Sequence, residues 1–256
     1  MKETEDIRNR RKSVLSLTGS KLAAAGTLFA GFIMITLGDD AGLYQISEAA
    51  GFPYLWWLIY GYGVVFSVLV DLILSRFFPT ARIGARIVIY GTGGFAPFVV
   101  LFFNTPYIAI SGFIGSLCAL FFYAADSLFR RTKIVSAAVG LGLTAVLLVI
   151  AWGDFTETKH WQEVRTPSSY EASFAYFNGE KAVPVPIPKG ETALLTYSWK
   201  MKNGGYGVRF TDVQQAPGDP PETNKIRIRA PESGISTLIV TGDHAQGSFR
   251  VEWTVE

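Results

Sequence analysis

The sequence predicts a membrane α-helical bundle of about five transmembrane helices, followed by an extracytoplasmic all-β domain of sandwich-like form. Three observations predict it. Long uncharged apolar runs fill the first 153 residues, hydrophobic alternation at period two replaces them beyond residue 169, and charge sits in bunches between the runs. The whole-chain averages of 17% charged residues and net charge +2 conceal this division. Residues 1–152 carry 12 basic and 8 acidic side chains, and residues 153–256 carry 11 and 13.

Residues 22–38, 49–70, 87–125 and 134–153 hold no charged side chain. A helix crosses a bilayer with about 20 mainly apolar residues, so the 39-residue run accommodates two crossings. Asn104-Thr105-Pro106 is the natural break between them. The expected spans are 18–38, 53–75, 84–103, 107–128 and 134–153, preceded by a basic cytoplasmic segment, 1–17. The first span begins before its uncharged run, so Lys21 is expected to snorkel towards the interface. That span reads as retained, because its alanines open the apolar run and no small-residue cleavage site follows it.

The connections alternate in charge. Arg8, Arg10, Arg11 and Lys12, then Arg76, Arg82 and Arg86, then Arg130, Arg131 and Lys133 fall at one end of the bundle. Asp39, Asp40 and Glu48, and the uncharged turn at Asn104, fall at the other. The positive-inside rule places the N-terminus in the cytoplasm and the C-terminal hundred residues outside a bacterial cell membrane. Tyr54, Trp56, Trp57, Phe77, Phe78, Trp152 and Trp161 are expected as interface anchors. Gly91–Pro97 is expected to serve close packing with a proline kink, the alternative being a broken helix. Cys118 is expected to pack as a small apolar group.

Two acids fall inside the spans. Asp126 precedes Arg130 by four residues, an i,i+4 pair. Asp71 is the candidate functional carboxylate, because an ionised group in a span usually has a task. Pairing with Arg76, Arg82 or Arg86 is its simpler fate. Asp39, Asp40 and Glu48 suit a solvated loop better than a calcium site. The only histidines, His160 and His244, lie beyond the spans, and neither has partners at the spacing of a catalytic triad or metal site. No cofactor is expected.

Residues 154–169 are polar and read as a stalk. In the domain at 170–256, Phe249, Val251, Trp253 and Val255 alternate with Arg250, Glu252 and Thr254. Leu195, Tyr197 and Trp199, then Tyr206, Val208 and Phe210, then Ile226 and Ile228 alternate likewise. Turn signals at Asn178-Gly179, Lys189-Gly190, Lys202–Gly205, Pro217–Pro221, Ser233-Gly234 and Gly242–Gly247 imply six to eight short strands, with a hairpin at Lys202–Gly205. Pro184, Pro186 and Pro188 confine their segment to a sheet edge or crossover. Lys225, Arg227 and Arg229 share one strand face. With Lys200, Lys202 and Arg209 they form a candidate basic patch for headgroups or anionic wall polymers.

The run Gly234, Ile235–Val240, Thr241-Gly242, then Gly247-Ser248-Phe249 and an alternating last strand resembles the closing pattern of small β-sandwich modules on bacterial envelope proteins. The resemblance covers about the last 60 residues. It implies a sandwich and no catalytic residue.

The expected function is therefore that of an integral membrane protein presenting a non-catalytic module that binds or senses an envelope partner, protein or polymer, beside the lipid bilayer. A small transporter or transporter accessory subunit is the alternative. Nucleic acid is not an expected partner, since the domain carries an acidic excess.

Overall fold

The computed structural model describes all residues except 1, 41, 79–81, 212–213, 216–223 and 230–234, and the side chains of these and of 2–17, 40, 133–134 and 214–215 are left aside. The chain forms two units, Met1–Gly153 and Asp154–Glu256.

The first unit is helical: α1 (Lys2–Leu37), α2 (Leu43–Ala50), α3 (Pro53–Trp56), α4 (Val64–Phe77), α5 (Ile83–Leu101), α6 (Ile108–Phe129) and α7 (Lys133–Trp152). A π-helical stretch, Trp57–Gly63, joins α3 to α4 without a break. Among the described residues, five segments are long and apolar enough to cross a membrane: Thr18–Leu37, Pro53–Phe77, Ile83–Leu101, Ile108–Phe129 and Val135–Trp152. Many of their large apolar side chains point outward, such as Leu72, Val88, Phe113 and Val149. Hydrocarbon is the solvent that suits such a surface.

Small residues set how closely these helices approach. A Cβ on Gly94 would overlap the Gly115 carbonyl, and one on Gly115 would overlap the Gly94 carbonyl, so α5 and α6 pack almost backbone to backbone. Gly140 meets α1 in the same way, its Cβ position lying 2.8 Å from the Ala23 nitrogen. Helix α5 runs through Pro97 without interruption, so the Gly91–Pro97 stretch serves packing and is not a broken helix. The turn between α5 and α6 holds Asn104 at φ 64°, a left-handed conformation that Asn tolerates better than most residues.

Trp57, Tyr54 and Trp152 are exposed on the bundle surface, as interface anchors are. Trp56 differs. Its ring packs 4.8 Å from Phe29 and 5.1 Å from Tyr60, and its Nε1 donates to the Ala50 carbonyl at 2.6 Å, so it fastens α2 inside the bundle.

The second unit is one seven-stranded antiparallel sheet: β1 (Glu157–Lys159), β2 (Gln162–Thr166), β3 (Ser169–Pro186), β4 (Thr192–Thr211), β5 (Gln214–Gln215), β6 (Lys225–Arg229) and β7 (Ile235–Val255). The path runs β1-β3-β7-β4-β6-β5, with β2 also pairing β3. Glu157–Lys159 and Gln162–Thr166 are thus strands of the sheet, so most of the expected stalk belongs to it. Gln162–Thr166 pairs with Ser169–Ser173 through a tight hairpin. Trp161 is likewise part of this unit's core, stacking on Phe174 at 5.2 Å, rather than an anchor of the last span.

Three strands are far longer than the expected short ones. The turn signals at Asn178-Gly179, Lys202–Gly205 and Gly242–Gly247 do not reverse the chain. They fall within β3, β4 and β7 and produce register shifts there, so the expected hairpin at Lys202–Gly205 is a bulge in a continuous strand. The irregularities line up, with Gly179 opposite Gly242, and Gly247 opposite both Phe174 and Met201. Gly204 at φ 89° and Gly247 at φ 149° adopt conformations that favour glycine, and a Cβ on either would overlap a neighbouring backbone. The turn signals at Pro217–Pro221 and Ser233-Gly234 lie outside the described residues.

Val183, Val185 and Ile187 are buried while Pro184, Pro186 and Pro188 are exposed. Residues 183–186 pair only with β7, so the prolines occupy a sheet edge, as their missing N–H requires. One apolar cluster, including Phe174, Phe177, Leu195, Leu238, Phe249 and Trp253, forms the core. Each such side chain contributes about 1.5–3 kcal/mol when fully buried, which lets the domain hold without a disulfide.

Candidate functional site

Lys21, near the start of the first span, is fully buried. Its Nζ lies 2.7 Å from Asp71 Oδ2 and 3.2 Å from Asp126 Oδ2, and donates to Ser67 Oγ at 2.5 Å. An ammonium has three hydrogens, and three acceptors meet it. The expected snorkelling does not occur, because partners are available inside. In a medium of low dielectric, two carboxylates at this range outweigh what a distant interface offers.

Asp126 is equally enclosed. It accepts from Ser20 Oγ at 2.7 Å, and from Arg130 Nη2 at 2.6 Å and Nε at 3.1 Å. The i,i+4 pair read from the sequence is thus present and is one edge of a larger network. Arg130 also bonds Asp71, and Arg86 Nη1 approaches Asp71 Oδ1 at 3.7 Å. Of the arginines expected beside Asp71, only Arg86 reaches it; Arg76 and Arg82 are exposed. Two carboxylates and two close cations balance, with Arg86 at the rim. Beneath them, the Tyr90 hydroxyl lies 2.7 Å from Ser67 Oγ.

Four elements supply these groups, α1, α4, α5 and α6, all at the end of the bundle that carries the basic connections. Asp71 lies six residues before the end of its span, about 9 Å at the helical rise. The sequence reading found Asp71 and Asp126 but missed Lys21 as their partner. The available signal was that Lys21, Asp71 and Asp126 are ionisable groups of opposite sign inside spans, where unpaired charge is costly.

Next to the network lies an apolar cavity of about 300 Å³, walled by the first four spans. Tyr90 and Phe122 stand nearest the network, and Phe98 and Leu55 stand towards the other end. Cys118 lines it, half-buried.

The β unit has a polar cleft of about 580 Å³, lined by His160, Gln162, Ser173, Lys200, Lys202 and Gln246, among others. Lys225 and Arg229 are exposed on β6, and Arg227 is half-buried with its Nε 3.3 Å from Glu256 Oε2. Arg209 pairs with Glu180 at 2.5 Å. The candidate basic patch is therefore divided: Lys200 and Lys202 belong to the cleft, while Arg209 and Arg227 are engaged by acids. His244 holds Asp243 Oδ1 at 2.7 Å through Nδ1 and packs edge-on to Tyr176. Glu163 accepts from Trp161 Nε1 at 2.9 Å and from the Tyr170 hydroxyl at 2.8 Å. These bonds hold its carboxyl below the usual range, the Trp161 bond most. Burial, then the Glu163 bond, pushes the Tyr170 phenol up.

Asp39 and Glu48 are exposed, and the side chain of Asp40 lies outside the described residues. Among the described residues, no three His, Cys, Asp or Glu side chains converge as a metal ion would require. The chain matches no protein-family model and no curated protein.

Proposed function

We propose that this multi-span chain is anchored in a bacterial cell membrane with its N-terminus in the cytoplasm and its β-sheet domain outside, where that domain binds or senses an envelope partner without catalysis. The observation that carries the reading is the closure of the charge network. Lys21, Asp71, Asp126 and Arg130 satisfy one another, so the ionised groups of the bundle act as internal fasteners. The water-facing surface left for recognition is that of the β domain, whose cleft offers Lys200, Lys202, Gln162 and Gln246 to a polar or anionic partner. The alternation of basic and non-basic connections supports the orientation. One core cluster draws on residues on both sides of the register shifts in β3, β4 and β7, which supports a sandwich-like closure of the sheet over itself.

The transporter reading has less support. It needs Asp71 on a polar path, whereas Asp71 faces three cations, Lys21, Arg130 and Arg86, and the adjacent cavity is apolar.

The test is capture from solubilised envelope membranes with the full chain and with a chain lacking residues 154–256. The expected result is a specific envelope component held by the full chain, released by the deletion and weakened by K200E/K202E. A component held equally by all three would place recognition in the bundle and refute the proposal.

A further inference from the structure

The cavity beside the charge network is built for a ligand that offers no polar atom. Its walls are chiefly Phe, Leu and Ile side chains, with Pro97 and three glycines, from the first four spans. Of the three hydroxyls in its lining two are engaged, Tyr62 donating to the Gly93 carbonyl at 2.7 Å and Tyr90 meeting Ser67, and the third is that of Ser111 alone. Water needs two to four polar partners, so such a space does not hold it. Left empty, the lining would forfeit its dispersion contacts on one side.

The space also has structural causes. Gly63 lines it, and a Cβ there would meet only the Leu58 carbonyl, at 3.5 Å, so the absent side chain leaves room on that wall. Gly63 ends the π-helical stretch, which also supplies Leu58, Ile59 and Tyr62 to the wall. At about 300 Å³ it lies at the lower end of ligand-pocket volumes. Every wall belongs to a helix long and apolar enough to cross a membrane, apart from Phe102 at the end of α5. The medium that reaches its openings is therefore lipid.

We propose that this cavity is a binding site for one acyl chain of a bilayer phospholipid. The chain lies between the second, third and fourth spans with its methyl end towards Tyr90 and Phe122. Occupancy buttresses Tyr90, whose hydroxyl supports the Ser67–Lys21 contact, so the bound lipid and the charge network stabilise each other.

The full-length protein, purified in mild detergent with its native lipid, tests this by native mass spectrometry. The expected result is one phospholipid per chain, retained under activation that strips loosely held lipid. Filling the cavity with C118F or L58W should lower that retention by about tenfold or more, whereas L117F, on an exposed position of the same helix, leaves it unchanged. A wild-type protein that keeps no phospholipid, or filled variants that keep it at the wild-type level, overturns the proposal. Should the variants fail to fold, the single cysteine serves in the wild-type chain. After delipidation an N-alkylmaleimide should modify Cys118, and added phospholipid should slow that reaction by about tenfold. A rate indifferent to phospholipid also overturns it.

Discussion

Lys21 and Asp126 stand 105 residues apart in the chain and 3.2 Å apart in the bundle, and neither side chain reaches solvent. Removing one partner leaves an uncompensated buried charge, which typically costs about 3–5 kcal/mol. Lys21→Met and Asp126→Asn are each expected to lower stability by about that amount. The double variant should lose clearly less than the sum of the two. A double-mutant cycle on unfolding in detergent measures this, and simple additivity would contradict the coupling.

The glycines of α5 separate into two kinds. Gly84 has nothing within 4 Å of its Cβ position, whereas Gly94 faces the Gly115 carbonyl. Gly84→Ala should therefore be neutral, or stabilising by up to about 1 kcal/mol through helix propensity. Gly94→Ala should cost about 1–3 kcal/mol through overpacking. Thermal unfolding of the two variants side by side checks the contrast, and an equal response would refute the close α5–α6 packing.

The register shifts in β4 and β7 lie at Gly204 and Gly247. Gly204→Ala combines φ 89° with a Cβ 2.5 Å from the His244 carbonyl. A cost of about 1–3 kcal/mol is expected for the strained conformation alone. Hydrogen exchange should show lost protection in β4 and β7 around residues 199–206 and 242–249, with the helices unaffected. Unchanged protection there would mean that the bulge accommodates a side chain.

Glu163 supplies a pH dependence. Its carboxyl is held below its ordinary value by bonds from Trp161 and Tyr170. A lowered carboxylate pKa contributes stability that is fully present above the unfolded value, about 4.3, and is lost as pH falls through the folded one. Glu163→Gln should remove that part of the acid sensitivity. The effect is modest, because Glu163 is exposed and screened by solvent. Tryptophan fluorescence of the full chain between pH 5 and 2, wild type against variant, reads it. Identical acid profiles would show that the two bonds contribute nothing.

The spans were legible because hydrocarbon imposes length and apolarity on each helix separately, so Pro53–Phe77 or Ile108–Phe129 can be recognised without its neighbours. The network was half legible. Asp126 and Arg130 are local in sequence, but Lys21 meets its acids only through tertiary packing. The strands were legible as alternation, as in Phe249–Val255, while their lengths were not. Gly-rich stretches specify permissive backbone, and whether the chain then reverses or merely bends is decided by pairing with distant strands. At Lys202–Gly205 the pairing partner is 243–246, about forty residues away, and it keeps β4 continuous through the signal as a bulged strand. The proline-bounded edge at Val183–Pro186 was legible because a missing N–H is a purely local fact.

The buried position of Lys21 also imposes an order on biosynthesis. When the first span leaves the ribosome, Asp71 lies 50 residues downstream and Asp126 lies 105 downstream. At about 5–20 residues per second, the second acid follows Lys21 by about 5–20 s. During that interval one of its two carboxylate partners is not yet made. The full set of partners exists only once the second and fourth spans are both present, so this fastener is among the last of the bundle to be completed.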